Sequence, residues 1–126
     1  MPGTEVRAFR ESDGKVPILE WLNWLEVREP KAYAKCLARI IQLAEAGFDM
    51  RRPHADTLRD GIHELRATTG NRHYRILYFF YGKNAVALSH GLTKEAEVPD
   101  AEIDLAIERK KLVKLNPDIC TADLEL

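Results

Sequence analysis

Gly61 to Lys94 reads G-I-H-E-L-R-A-T-T-G-N-R-H-Y-R-I-L-Y-F-F-Y-G-K-N-A-V-A-L-S-H-G-L-T-K. Gly70-Asn71 and Gly82-Lys83 are turn signals, and they cut the stretch into three runs with period-two alternation. The runs predict strands over Ile62–Thr68, Arg72–Tyr81 and Asn84–His90. Consecutive strands joined by tight turns are antiparallel. In the first, Ile62, Glu64, Arg66 and Thr68 share one face, and His63, Leu65 and Ala67 the other, read as the core side. In the second, Arg72, Tyr74, Ile76, Tyr78 and Phe80 oppose His73, Arg75, Leu77, Phe79 and Tyr81. Its second half is apolar on both faces, so it reads as a central strand, covered once by helices and once by a partner. In the third, strict alternation puts Val86, Leu88 and His90 on one face.

Outward from this block the pattern is helical. Val6 to Phe9 reads as a short first strand. Pro17 suits a first helical position, where its missing N–H would be unpaired anyway. Ile18, Leu22 and Leu25 then recur at helical spacing to about Val27. Pro30 opens a second helix with the stripe Tyr33, Leu37, Ile40, Ile41 and Ala44, which Gly47 ends and Phe48 folds back upon. Residues 49–60 read as a loop. A third helix runs from an Asp100 N-cap to about Leu115, with acidic residues first and Arg109-Lys110-Lys111 late, as the helix dipole favours. Asn116-Pro117 stops it, and residues 117–126 read as a loose tail. The order is β-α-α-β-β-β-α: an α+β single domain over 1–126, a mainly antiparallel sheet with helices packed on one face.

The length of 126 residues fits one domain. No apolar run approaches the roughly 18 to 20 residues of a membrane span. The N-terminus has no apolar export region, and two cysteines do not make a disulfide framework, so a cytoplasmic protein with free thiols is expected. Net charge is −1 but unevenly spread. Residues 51–94 carry 8 Lys/Arg against 3 Asp/Glu, and residues 95–126 carry 4 against 9. All four histidines fall in the basic block. Such asymmetry suits an anionic partner, or is a chance of small size.

Several side chains in the block carry two readings. Glu64 and Arg66 lie two apart on one strand face. They form either a surface ion pair or a phosphate site in which Arg66 grips oxygens and Glu64 orients it or takes a proton. Arg75 lies either at the sheet rim or in such a site. His90 is either a hydrogen-bonded core residue or a general acid–base group. His73 and His63 rank lower, and His54 reads as a loop residue. No His or Cys spacing suggests a metal, and no Walker, dinucleotide or nucleophile-elbow motif is present, so no cofactor is expected.

With that element order, the pieces G-I-H-E-L-R, Y-R-I-L-Y-F-F, S-H-G-L-T-K and V-P-D-A-E-I-D-L-A resemble the RelE/ParE toxin superfamily, in its phage-derived, HigB-like branch. The resemblance spans roughly residues 17–113. It implies the toxin of a type II toxin–antitoxin system, an mRNA endoribonuclease often dependent on the ribosome, and a helix-turn-helix antitoxin as partner. It assigns phosphate binding to Arg66, Arg75 and Lys94, proton transfer to His90, and base stacking to Tyr74, with Arg72 and His73 against the substrate. The chain departs from relatives in carrying Glu95 after Lys94, and Glu64 where RelE has lysine. Two non-catalytic readings share the fold: a ParE-like DNA gyrase inhibitor, and a degenerate domain that only binds an antitoxin.

Overall fold

The computed structural model describes residues 3–93 and 97–124. Strand β1 (Glu5–Phe9) leads to helices α1 (Pro17–Arg28) and α2 (Pro30–Ala46), a 3-10 turn (Gly47–Asp49) and strand β2 (Ala55–Thr57). Strands β3 (Ile62–Thr69), β4 (Arg72–Tyr81) and β5 (Ala85–Thr93) follow, then helix α3 (Asp100–Leu115), the short helix α4 (Pro117–Cys120) and strand β6 (Thr121–Asp123). The sheet order is β2-β3-β4-β5-β1-β6. Its pairs are antiparallel except β1–β5. The α+β class and the mainly antiparallel sheet are those expected.

The helices divide between the faces. Helices α1 and α2 cover Leu65, Tyr74, Ile76, Tyr78, Val86 and Leu88 through Ile18, Leu22, Leu25, Cys36, Ile40 and Leu43. Helix α3 lies on the other face, where Ile103, Ala106 and Val113 meet Ile62, Leu77, Phe79, Ala87 and Leu92. The expectation of helices on one face therefore describes α1 and α2, and α3 takes the cover expected from a partner. A strand apolar on both sides needs both layers, since each exposed apolar area costs about 25 cal/mol per Å².

Helix α3 starts after a Pro99 N-cap, with Asp100 inside the first turn beside Glu102. Gly47 ends α2 at φ 53, and its N–H donates to Leu43 O. Phe48, expected to fold back on α2, instead stacks on Phe80 of β4.

The supposed loose tail is ordered through Asp123. Strand β6 pairs with β1 from Phe9↔Thr121 to Arg7↔Asp123. Arg10 donates to Ile119 O and Asp118 O, both at 2.9 Å, and Arg7 Nε to Thr121 Oγ1 at 2.9 Å. Carbonyl capping by arginines is invisible to a periodicity argument. So is β2, three residues long inside the expected loop. Its pairing is carried one step further where Arg66 N–H donates to His54 O.

A β-bulge sets the last strand's register. Leu77 pairs with His90 and Tyr78 with Leu88, so Ser89 is the extra residue. Beyond it the alternation inverts. His90 and Leu92 turn to the α3 face, and Gly91 turns to α1, where a Cβ would collide with the Trp21 ring. The expected shared face of Val86, Leu88 and His90 is thus broken at His90.

Candidate functional site

Register places Arg66 directly opposite Arg75 across β3 and β4. Like charges so placed repel unless an anion intervenes. Glu64 is that anion. It is 1% exposed, and each of its oxygens is engaged. Arg66 Nη2 and Nε donate to Oε2 at 2.8 and 3.1 Å, and Arg75 Nη1 donates to Oε1 at 2.6 Å. Asp56 of β2 extends the pattern. Its Oδ2 accepts from Arg66 Nη2 at 3.1 Å and pairs with Arg52 Nη2 at 2.8 Å. The result is an alternating chain, Arg52–Asp56–Arg66–Glu64–Arg75, three cations to two anions. Two of its cations share one short antiparallel register, so backbone geometry fixes their spacing. With a guanidinium group on each oxygen, Glu64 positions Arg66 and Arg75.

Arg66 and Arg75 stand on the wall between two clefts. One, of about 400 Å³, mixes the carboxylates of Asp56, Glu64, Glu97 and Asp100 with Arg52 and Arg59 beside Arg66 and Arg75. The other, of about 520 Å³, is lined by Lys35, Arg39, His54, Arg66, His73 and Arg75, with Pro53, Ala67, Thr68 and Tyr74. No carboxylate is among these lining residues. Lys35 Nζ donates to Thr68 O at 2.6 Å and Arg39 Nε to Arg66 O at 2.9 Å. These bonds hold the two α2 cations over β3 where β2 no longer covers it. This cleft has the electrostatics of an anion site.

The sequence-derived candidates sort as follows. Arg66, Arg75 and His73 come together on the cationic cleft, and Glu64 lies behind it. His73 Nδ1 is 3.4 Å from Thr68 Oγ1. Arg72 is at the exposed hairpin end, its Nε 3.7 Å from Glu29 Oε1. Tyr74 is 1% exposed, packed in the α1–α2 core, and its hydroxyl donates to Glu29 Oε1. Period two put Tyr74 on that face, but only the packed helices bury it. Burial, then the Glu29 carboxylate, hold its hydroxyl above the usual tyrosine range.

His90 is also diverted. The bulge sends it to α3, where its Nε2 lies 3.1 Å from Glu102 Oε1 and its Nδ1 2.8 Å from Ser89 Oγ. Arg109 Nη1 approaches Nδ1 at 3.4 Å. Leu77 sits between His90 and Glu64 in the ladder, so two strand spacings, about 10 Å, separate their backbones. Burial first, then Arg109, hold the imidazole below its ordinary value against the pull of Glu102. His90 is thus hydrogen-bonded under α3, about two strand spacings from the arginine chain. Lys94 lies outside the described residues.

Three residues of the cationic cleft were missed. Lys35 and Arg39 are four apart on α2 and so share a face, a signal available in the sequence. His54 had none, because its place depends on the short pairing of β2 with β3. Among the described residues, no group of three or more His, Cys, Asp or Glu side chains could hold a metal ion. No helix there is long and apolar enough to cross a membrane.

Comparison with known proteins adds a family to this geometry. Residues 23–111 match the family described as "Phage derived protein Gp49-like (DUF891)". The chain belongs to that family of phage-derived, Gp49-like proteins, as the HigB-like resemblance anticipated. Over 57 residues it is 35% identical to "Probable endoribonuclease HigB1" of Mycobacterium tuberculosis, in strains CDC 1551 / Oshkosh and ATCC 25618 / H37Rv. The match covers 45% of this chain and 46% of each relative, so it spans about half the length of the relatives.

Proposed function

We propose that this protein is the toxin of a type II toxin–antitoxin pair, and that it cleaves mRNA, at the ribosome, until a helix-turn-helix antitoxin binds it. The observation that carries this reading is the carboxylate-free cleft of Lys35, Arg39, His54, Arg66, His73 and Arg75. Similarity to a probable endoribonuclease supports the same chemistry.

In this reading a phosphodiester lies in the cleft with its oxygens on Arg66 and Arg75, whose planar forks suit bidentate phosphate contact. The ribose 2′-oxygen attacks the adjacent phosphorus. The 2′-O–P bond forms and the P–O5′ bond breaks, leaving a 2′,3′-cyclic phosphate and a 5′-hydroxyl. One proton leaves the 2′-hydroxyl and one reaches the departing 5′-oxygen. His54 and His73 are the cleft's histidines, the side-chain type suited to both transfers. Charge grows on the non-bridging oxygens in the transition state, where fixed cations do most. Lys94 joins the phosphate-binding group through its G-L-T-K resemblance, and Arg72 meets the RNA backbone beyond the cleft.

The test is cleavage of a ribosome-bound transcript by the purified protein, read by primer extension. Wild type is expected to produce new internal 5′ ends. Arg66→Ala and Arg75→Ala, shown folded by circular dichroism, are expected to slow cleavage about 100-fold or more. Full cleavage by both folded variants would remove these arginines from the site. Intact RNA together with altered plasmid supercoiling in expressing cells would replace cleavage with gyrase inhibition.

A further inference from the structure

Besides those two clefts there is a third cavity, of about 490 Å³, on the α1–α2 side of β2 and β3. Its walls are aromatic. Phe48 is 63% exposed, yet its ring is fixed, stacked on Phe80 at 3.8 Å between centroids and 12° between planes. His63 stacks on Tyr78 at 5.3 Å and meets Phe80 edge-on at 5.3 Å. The turn that presents Phe48 is held from within. Arg51 Nη1 donates to Phe48 O and, at 3.2 Å, to Met50 O. Arg51 and Arg52 also line the cavity, and the carboxylate of Asp56 there is already engaged by Arg52 and Arg66.

We propose that this cavity is a nucleobase subsite: a base of the bound RNA, next to the phosphate held at Arg66 and Arg75, stacks on Phe48. The inference rests on the RNA-cleavage reading and gives it a substrate contact. Exposed, rigid aromatic faces are what single-stranded nucleic acids stack on, tolerantly of sequence, because every base has a π-face. Continuity with the cleft runs through a further cavity of about 410 Å³, which shares His54 with the cleft and Met50, Arg51 and Arg52 with the aromatic cavity. A strand leaving the cleft past His54 therefore meets Arg51 and Arg52 next, and beyond them the aromatic wall. The cationic rim suits a polyanion better than an apolar protein side chain. The subsite also supplies the stacking surface that buried Tyr74 cannot.

The probe is a short, 2′-O-methylated and so uncleavable single-stranded RNA, with matched oligonucleotides carrying one abasic position in turn. Binding is read by fluorescence anisotropy at low salt. One abasic position is expected to weaken wild-type binding about 10-fold. Phe48→Ala should cost intact RNA a similar factor, and should cost nothing further on that abasic RNA. Phe48→Trp should keep the affinity and report the stack by fluorescence quenching. If Phe48→Ala and every abasic RNA bind like wild type and intact RNA while Arg66→Ala weakens binding, the subsite is wrong and the cleavage reading stands. If wild type binds no RNA, both fall. Loss of affinity for the purified antitoxin alone, with RNA binding unchanged, would make the cavity a protein-docking site and overturn the proposal.

Discussion

Glu64 shows how much one buried carboxylate can organise. It holds two guanidinium groups that the strand register would otherwise set against each other. Removing one partner of a buried ion pair leaves an uncompensated charge. Glu64→Gln is therefore expected to lower unfolding free energy by on the order of 3 kcal/mol, read by urea denaturation. The variant should also lose cleavage beyond its loss of stability, because Arg66 and Arg75 would no longer be held in place. In the sequence the Glu64–Arg66 pair was legible, and so were its two readings. The burial of Glu64 was not, since it depends on helix α3 covering that face.

The histidines carry a pH prediction. Burial first, then Arg109, hold His90 below its ordinary value, and burial first, then Lys110, does the same for His63. Groups with depressed histidine pKa values are neutral in the fold but take up protons on unfolding. The unfolded state then binds more protons below about pH 6.5, so stability rises with pH up to there and levels off above. Melting temperature should fall between pH 7.5 and pH 5. His90→Gln should flatten part of that slope, the rest remaining with His63 and the carboxylates. A slope untouched by His90→Gln would place the effect elsewhere.

At the scale of elements, the long pieces were legible and the short ones were not. Helices α1 and α2 announce themselves by proline starts and apolar spacing, α3 by its acidic start and basic end, and β3 to β5 by alternation between turns. Strands β2 and β6 have three residues each, too few for any period to register. The place of β6 comes from partners far along the chain, such as β1 and Arg10 on the carbonyls of α4, and that of β2 from the neighbouring β3. The bulge at Ser89 escaped for a related reason. Alternation assumes an unbroken ladder, and one extra residue inverts every later position. Gly91 is the test of that inversion. Gly91→Ala is expected to destabilise the protein by about 1–3 kcal/mol through overpacking on Trp21, measurable by thermal or urea unfolding. A neutral result would mean that α1 yields easily at this point.

For the whole molecule, net charge conceals how the charges are distributed. The chain is −1 overall, yet four of its 19 Lys/Arg side chains line one cleft free of carboxylates, and its surplus carboxylates lie mainly after residue 94. Binding to RNA should therefore weaken steeply with salt, by a log–log slope of about 0.7 for each phosphate contacted. Lys35→Ala and Arg39→Ala should each shallow that slope by about 0.7 while leaving sequence preference unchanged. A slope near zero for the wild type would separate the cationic cleft from nucleic acid altogether.

Lys35 and Arg39 hold a second office at this scale. Their bonds to Thr68 O and Arg66 O occupy backbone acceptors that β2 is too short to reach. Unoccupied, such acceptors are where one molecule's sheet recruits another's. The residues that would draw RNA in are thus also the guards against fibril growth. A variant stripped of both would trade one fault for two: weak substrate binding, and a tendency to polymerise that no activity assay would foretell.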